Sequence, residues 1–373
     1  MSSSSAAAGG RPIPRRPDAG PACTVRVLRE AEDLDRIEPA WWDLFGRCPA
    51  ATPFQSPAWL IPWWRHFRPG RLLTLAVQAG DRLAGLLPAY VEDGPQGRRL
   101  LLLGIGPSDH LDLLLDPAGE GAAAALSAGL AAERAAFDVV AFEDLAPGAA
   151  AWRLPVPAGA REVVADRAAC PVLALPREAG RALPAEVDPG SAKGSASGRG
   201  PRLADLCSPA KRRKIALARN RSERRGGFET FSRADPAGAS ALFEDLVALH
   251  AARWESRGAA GVLADGTVRD FHRAAVPRLA AAGLVRFHAV RLAGTAAAVL
   301  YALRGRGGVY AYLSGFDPAF GFESPGVTVI AAALDAARAE GAPSFHFLRG
   351  REPYKYEWGA SDVWNRCRSL QWA

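Results

Sequence analysis

Four short segments of this chain concentrate residue types able to do chemistry. Tyr310 and Tyr312 lie in an apolar run ending at Asp317, and Ser324-Pro325-Gly326-Val327 then opens an apolar helix. Ser324 suits an N-cap and Pro325 the first helical position. A strand that feeds a helix N-terminus leaves free amides and a positive dipole end, which suits phosphate or pyrophosphate; plain capping explains the same residues. Further on, Phe345-His346-Phe347-Leu348 runs directly into Arg349, Gly350, Arg351 and Glu352, followed by Tyr354, Lys355 and Trp358. Ligands of open α/β sheets gather at the carboxyl ends of strands. Arg349, Arg351 and Lys355 could hold phosphate or carboxylate there, and Glu352 could take a proton from an amine. A solvated, salt-bridged terminus is the plainer alternative.

The third segment places His250, Arg253, Trp254 and Arg257 at helical spacing, so they share a face. His250 titrates near neutrality and is a candidate base; a histidine packed beside a tryptophan fits the same pattern. The fourth pairs the aromatic stretch Phe54–Phe67, with Trp59 in it, with Asp109, His110 and Asp112. Trp59 could line a pocket or fill the core. Asp109 and Asp112 could bind a polyol or an amine, and they lack the spacing of a metal site.

The elements that must position these residues follow from periodicity. Thr24 to Leu28 reads as a strand, and 33–45 as a helix with Leu34, Ile37, Trp41 and Leu44 on one stripe. Leu72 to Gln78 and Leu83 to Val91 read as strands around a Gly80-Asp81 turn, with Pro88 marking a bulge or an edge. A strand at 99–104, an Ala-rich helix at 119–135 and a strand at 138–142 complete a first half. The second half repeats the order: strand 228–231, helices 237–256 and 267–282, strands 284–291, 296–303 and 308–314, helix 326–340, strand 344–348. Residues 1–22 read as a disordered tail, 23–176 as an N-terminal domain, 177–208 as a flexible Gly/Ser/Pro-rich linker, and 209–373 as a basic helix with a C-terminal domain.

The 373 residues, 49% apolar and 23% charged, are ordinary globular composition with room for a large core. The five cysteines are scattered and give neither a disulfide framework nor a zinc pattern, so a reducing cytoplasm is expected. No apolar run is long enough to span a membrane. The net charge of +7 is concentrated in one place: Lys211, Arg212, Arg213, Lys214, Arg219, Arg221, Arg224 and Arg225 face only Glu223 in that segment. No aromatic residue interrupts it, so base stacking is missing and nucleic acid is not the expected partner. A connecting helix that offers one or two arginines to an anion fits better.

Taken in order, these segments resemble the CelD/BcsL-type acyltransferases, a branch of the GNAT superfamily related to the FemAB peptidoglycan transferases. The resemblance is carried by Phe54/Ser56/Trp59, Gly106-Pro-Ser-Asp109, the Lys211–Lys214 helix, Leu249-His250 to Arg257-Gly258, Tyr312 to Asp317, Ser324-Pro-Gly326, and Phe347-Leu-Arg-Gly350 through Tyr354-Lys355 to Trp358. It implies an α/β (α+β) fold of two tandem GNAT-like domains, each a mixed, mostly antiparallel twisted sheet flanked by helices. It implies acetyl-CoA or another acyl-CoA as co-substrate, no metal, and an amine acceptor such as an amino sugar or a cell-envelope or exopolysaccharide precursor. On that resemblance Ser324, Gly326 and Val327 would hold the pyrophosphate, with Tyr310, Arg349 and Gly350 also on the donor. His250, Glu352, Lys355 and Tyr312 would be catalytic, and Trp59, Asp109, Asp112, Arg253, Trp254 and Trp358 would contact the acceptor. His110 and His346 stand where many relatives carry Tyr and Asp, and only Ser-Pro-Gly remains of the glycine-rich pyrophosphate signature. A Fem-like transferase using aminoacyl-tRNA, or a non-catalytic scaffold in polysaccharide assembly, are the alternatives.

Overall fold

A computed structural model describes residues 23–95, 97–176 and 206–372; the expected tail and nearly all of the expected linker lie outside the described residues. The first half runs β1 (Cys23–Leu28), α1 (Ala31–Arg47), α2 (Pro57–Phe67), β2 (Arg71–Leu72), β3 (Thr74–Ala79), β4 (Arg82–Leu87), β5 (Ala89–Gly94), β6 (Gly97–Leu102), β7 (Leu114–Leu115), α3 (Ala122–Ala132), β8 (Val139–Leu145) and β9 (Ala160–Ala174). The second runs α4 (Pro209–Arg224), β10 (Phe228–Arg233), α5 (Pro236–Glu255), α6 (Gly266–Ala281), β11 (Val285–Leu292), β12 (Thr295–Gly305), β13 (Gly308–Phe316), α7 (Pro325–Ala339), β14 (Ser344–His346), α8 (Pro353–Tyr356) and β15 (Ser361–Trp372).

Local chemistry explains the helix starts. Ser208 accepts from the Lys211 amide, Asp235 from Gly238, and Asp265 from Thr267 and Val268, each satisfying a first-turn donor. The α1 stripe Leu34, Ile37, Trp41 and Leu44 is buried as its spacing requires.

The strands form a four-stranded sheet, β1-β3-β4-β7, and an eleven-stranded sheet, β10-β11-β12-β13-β14-β9-β15-β8-β6-β5-β2. Pro88 separates β4 from β5, and the chain changes sheets there, so the single return strand expected over 83–91 is two strands. Proline cannot donate to a ladder, and a change of sheet is a place where that costs nothing. β15, within the span 209–373, lies between β9 and β8 of the first half. The two halves therefore share one sheet.

Alternation along β12 divides the second half into two layers. Val299, Tyr301 and Leu303 pack with Leu242, Phe243 and Leu246 of α5 and Phe271 and Leu279 of α6. Ala298, Leu300 and Ala302 pack with Val329, Ala333, Leu334 and Ala337 of α7 on the opposite face. Consequently α5 and α7 approach β13 from opposite sides.

Candidate active site

β13 and β14 run parallel for only two residue pairs, Val309 with Phe345 and Tyr310 with His346. Past that point the chain leaves β13 for β9: the Phe347 amide donates to Pro171 O at 2.9 Å and the Gly350 amide to Ala169 O at 3.1 Å. β13 meanwhile stays on β12 as far as Phe316. A gap opens between them, and at its apex Tyr312 is an extra residue in the ladder, a β-bulge that interrupts the pairing.

One mouth of this gap is the N-terminus of α7. Ser324 does not cap it as its residue type suggested: its backbone is left-handed (φ 55°), no side-chain cap bond forms, and its hydroxyl donates to Gly321 O at 3.4 Å. The first-turn amides thus have no side-chain partner, though the Val327 amide donates to Ser324 O at 2.9 Å, which leaves the Gly326 amide for an anion. A side chain on Gly326 would meet only Phe316, at 3.6 Å, so its absence leaves open space before those amides. The basic helix α4 leans on the loop that enters α7. Arg221 donates to Phe322 O at 2.9 Å and lies over the Phe322 ring, and Arg225 pairs with the buried Glu323 at 3.1 Å.

The far wall is the segment after β14. Leu348 (φ 59°) and Gly350 (φ 105°) both have left-handed backbone. The buried Lys355 ammonium holds that bend, donating to Leu348 O at 3.2 Å, Arg349 O at 2.7 Å and Gly350 O at 3.2 Å and pairing with Glu352 at 2.9 Å. Lys355, expected to be catalytic, is therefore a positioning residue, since its donors are consumed by the chain. Arg349, expected on the donor, reaches the other way. It bonds the Asp109 carboxylate, Asp144 at 3.1 Å and Gly106 O at 3.0 Å, tying this wall to the first half. Burial pushes the carboxyls of Asp109 and Asp144 above the usual range, and the Arg349 charge acts against it. Glu352 is the exposed carboxylate of this wall, with 57% of its side chain accessible.

On the α5 side, His250 and Trp254 meet as their i, i+4 spacing implies, with indole Nε1 donating to His250 Nε2 at 2.9 Å. An indole N–H only donates, so Nε2 must accept and the ring proton sits on Nδ1. Burial, then the nearby Arg253, lowers the His250 pKa. Its lone pair is thus engaged, and this arrangement does not supply the base expected at His250. Arg253 lies over the Phe316 ring, 4.7 Å from its centroid.

Other expected contacts are core residues. Trp59 is fully buried, its indole bonded to Ser108 Oγ at 2.9 Å. Trp358 is fully buried beneath the Lys211 ammonium. Asp112 accepts from the amides of Leu113, Ala150 and Ala151; burial nevertheless raises its pKa to about 7. It braces two loops and leaves nothing for an acceptor. Tyr310 is buried and stacks on His346 at 4.4 Å, and the half-buried Tyr312 donates its hydroxyl to Pro107 O at 2.8 Å, so the contacts seen for both are with the core. The two departures from the resemblance face each other: the rings of His110 and His346 lie 6.1 Å apart beside Tyr310.

Sequence reasoning missed Asp144 and Asn365, which complete this junction. Asn365 donates to Asp109 O at 2.8 Å and to His110 at 3.2 Å. Asp144 is an acid ending an apolar strand, a visible signal; Asn365 lies in β15, whose mixed composition hides a strand. His272 was missed as well. It sits neutral among Trp59, Phe243, Phe271, Tyr301 and Tyr312, and burial lowers its pKa to about 3. A histidine depressed in the folded state contributes stability above its unfolded pKa, and that stability is lost as pH falls toward the folded one. Replacing His272 with Phe should therefore remove about 1 kcal/mol per pH unit of the loss seen below about pH 6.5. Urea unfolding at pH 7.5, 6 and 5 checks this; parallel curves for both proteins would contradict it.

Among the described residues no group of three or more His, Cys, Asp or Glu side chains could hold a metal, and no helix is long and apolar enough to cross a membrane.

Strand, helix pair, hairpin, strand, helix and a parallel strand splayed from the one before define the GNAT-type acyltransferase fold, and here the order occurs in tandem. Residues 209–356 match the family model described as an acetyltransferase (GNAT) domain. Among solved structures, a crystal structure of FemX superposes with a TM-score of 0.60 at 10% identity, covering 92% of this chain and 96% of that one. A conserved protein of unknown function from Bacteroides thetaiotaomicron gives 0.51 at 10% identity, covering 93% and 100%. A tandem GNAT protein from the clavulanic acid biosynthesis pathway gives 0.43 at 15% identity, covering 94% and 98%. Comparison with curated proteins found no match.

Proposed function

We propose that the protein is an acyl-CoA-dependent N-acyltransferase of CelD/BcsL type, acting in the cytoplasm on an amine such as an amino sugar or a cell-envelope or exopolysaccharide precursor. The observation that carries this is the splayed β13–β14 gap opening onto an α7 N-terminus that no side chain caps, within the segment matching the GNAT domain. The first turn of α7, at Gly326 and Val327 and flanked by Arg221 and Arg225, would hold the donor pyrophosphate. The pantetheine arm would then lie in the gap, with the thioester near the Tyr312 bulge. The acceptor amine would attack the thioester carbonyl, the C–S bond would break, and the departing thiolate would take up a proton as the ammonium gives one up. With His250 engaged, Glu352 is the candidate acceptor of that proton. Most of the rate would come from positioning, which the Lys355 and Arg349 clamps serve.

The test is incubation with acetyl-CoA and longer acyl-CoAs against a panel of amino sugars, following thiol release and the N-acyl product by mass spectrometry. Release that depends on an amine, with a matching product, is expected; release that ignores the amine would contradict the reading. One observation favours the Fem-like alternative: Arg212, Arg213 and Arg224 are exposed on α4. Tight tRNA binding that falls steeply with salt would support it.

A further inference from the structure

The buried Lys355 has found carbonyls and a carboxylate, and Arg349 two carboxylates, whereas the half-buried Arg253 has found neither. No carboxylate among the described residues lies within ion-pairing range of it, its buried Nε makes no hydrogen bond, and its terminal nitrogen only grazes Ser314 O at 3.5 Å. Its neighbours supply no counter-charge: Arg257 acts against the guanidinium, His250 is neutral, and the Tyr354 phenol of α8 offsets the repulsion only in part. Holding a half-buried guanidinium without a counter-charge costs free energy that an incoming anion would recover.

Its position says which anion. Phe316 and Ser314 belong to the part of β13 that has splayed from β14, so Arg253 lies against β13 where the gap has opened. It arrives from α5, on the face of the sheet opposite α7. A donor with its phosphates on α7 would present its thioester toward the α5 side, where the acceptor must stand.

We infer that Arg253, lying over Phe316 where β13 has left β14, is an anion subsite for the acceptor, which carries a carboxylate or phosphate besides its amine. This rests on the acyl-CoA reading for the identity of the donor, but the subsite itself does not. The same guanidinium chemistry could serve a phosphate of the donor, so the test separates the two.

The experiment is isothermal calorimetry of the full-length protein and of Arg253→Gln and Arg253→Lys. The probes are CoA, glucosamine against glucosamine 6-phosphate, and alaninamide against alanine, the amines titrated with and without saturating CoA. In the wild type at least one acidic probe should bind tenfold or more tighter than its neutral partner. Arg253→Gln should abolish that preference, Arg253→Lys should retain part of it, and CoA affinity should stay within twofold in both. A tenfold loss of CoA affinity in Arg253→Gln would move the subsite to the donor and overturn the assignment. Absence of any preference in the wild type, or its persistence in Arg253→Gln, would overturn the subsite altogether. Preference lost in Arg253→Gln, in a protein that binds no CoA, would leave the subsite standing and remove the acyl-CoA reading instead.

Discussion

Replacing Arg349 with methionine should destabilise the protein by about 3–5 kcal/mol, the typical consequence of removing one partner from a buried ion pair. The substitution strands two carboxylates at once. Asp144 keeps 5% of its side chain accessible and Asp109 13%, and Arg167, at 4.0 Å from Asp144, is too far to replace the lost bonds. Both carboxyls are already raised by burial with the guanidinium present. Urea unfolding of Arg349→Met, Asp109→Asn and the double variant provides the check. The double variant should recover part of the loss, because the stranded charge is gone; strictly additive costs would show that Arg349 and Asp109 do not act as a unit.

Lys355→Ala should have the second-largest effect, lowering turnover at least tenfold and costing about 3 kcal/mol. The physical reason is the left-handed backbone at Leu348, which a β-carbon disfavours and which the three carbonyl bonds to the ammonium hold in place. Without the ammonium the wall of the gap relaxes, and misplacement of about 1 Å is enough to account for the lost rate. Because Lys355 positions the wall without touching the reacting atoms, turnover should fall more than donor affinity does. A selective loss of CoA affinity at unchanged turnover would instead place the ammonium on the donor.

These two residues show what was legible in the sequence. Arg349, Lys355 and Glu352 stand out as charge directly after a buried strand, and their location at the wall of the gap follows from that. Their partners do not. The Lys355 bonds depend on a left-handed bend at Leu348 that no residue type announces, and Arg349 turns to Asp109 and Asp144, distant in sequence. His250 is the reverse case: its i, i+4 spacing from Trp254 is plain in the chain and already points to an engaged ring nitrogen. Helices with a clear stripe, such as α1, and strands with clean apolar runs, such as β11 to β13, were readable. β9 and β15 were not. β9 is exposed from Arg161 through Arg167 and β15 alternates imperfectly around its bulge, so pairing with each other makes them strands more than their own composition does. That pair joins the two halves, which is why the shared sheet is the feature least visible in sequence.

Calorimetric titration of CoA into wild type and Gly326→Trp asks whether the α7 N-terminus binds the donor. Gly326 does not have a positive φ and its Cβ would meet only Phe316, so the backbone accepts a side chain whose bulk then fills the space before the amides. Saturable CoA binding to the wild type is expected, accompanied by about 2.7 kcal/mol of stabilisation at a hundredfold excess over Kd, with loss of both in a Gly326→Trp protein of unchanged fold. A wild type that binds no CoA, or a Gly326→Trp protein that binds it equally well, would contradict donor binding at the α7 N-terminus.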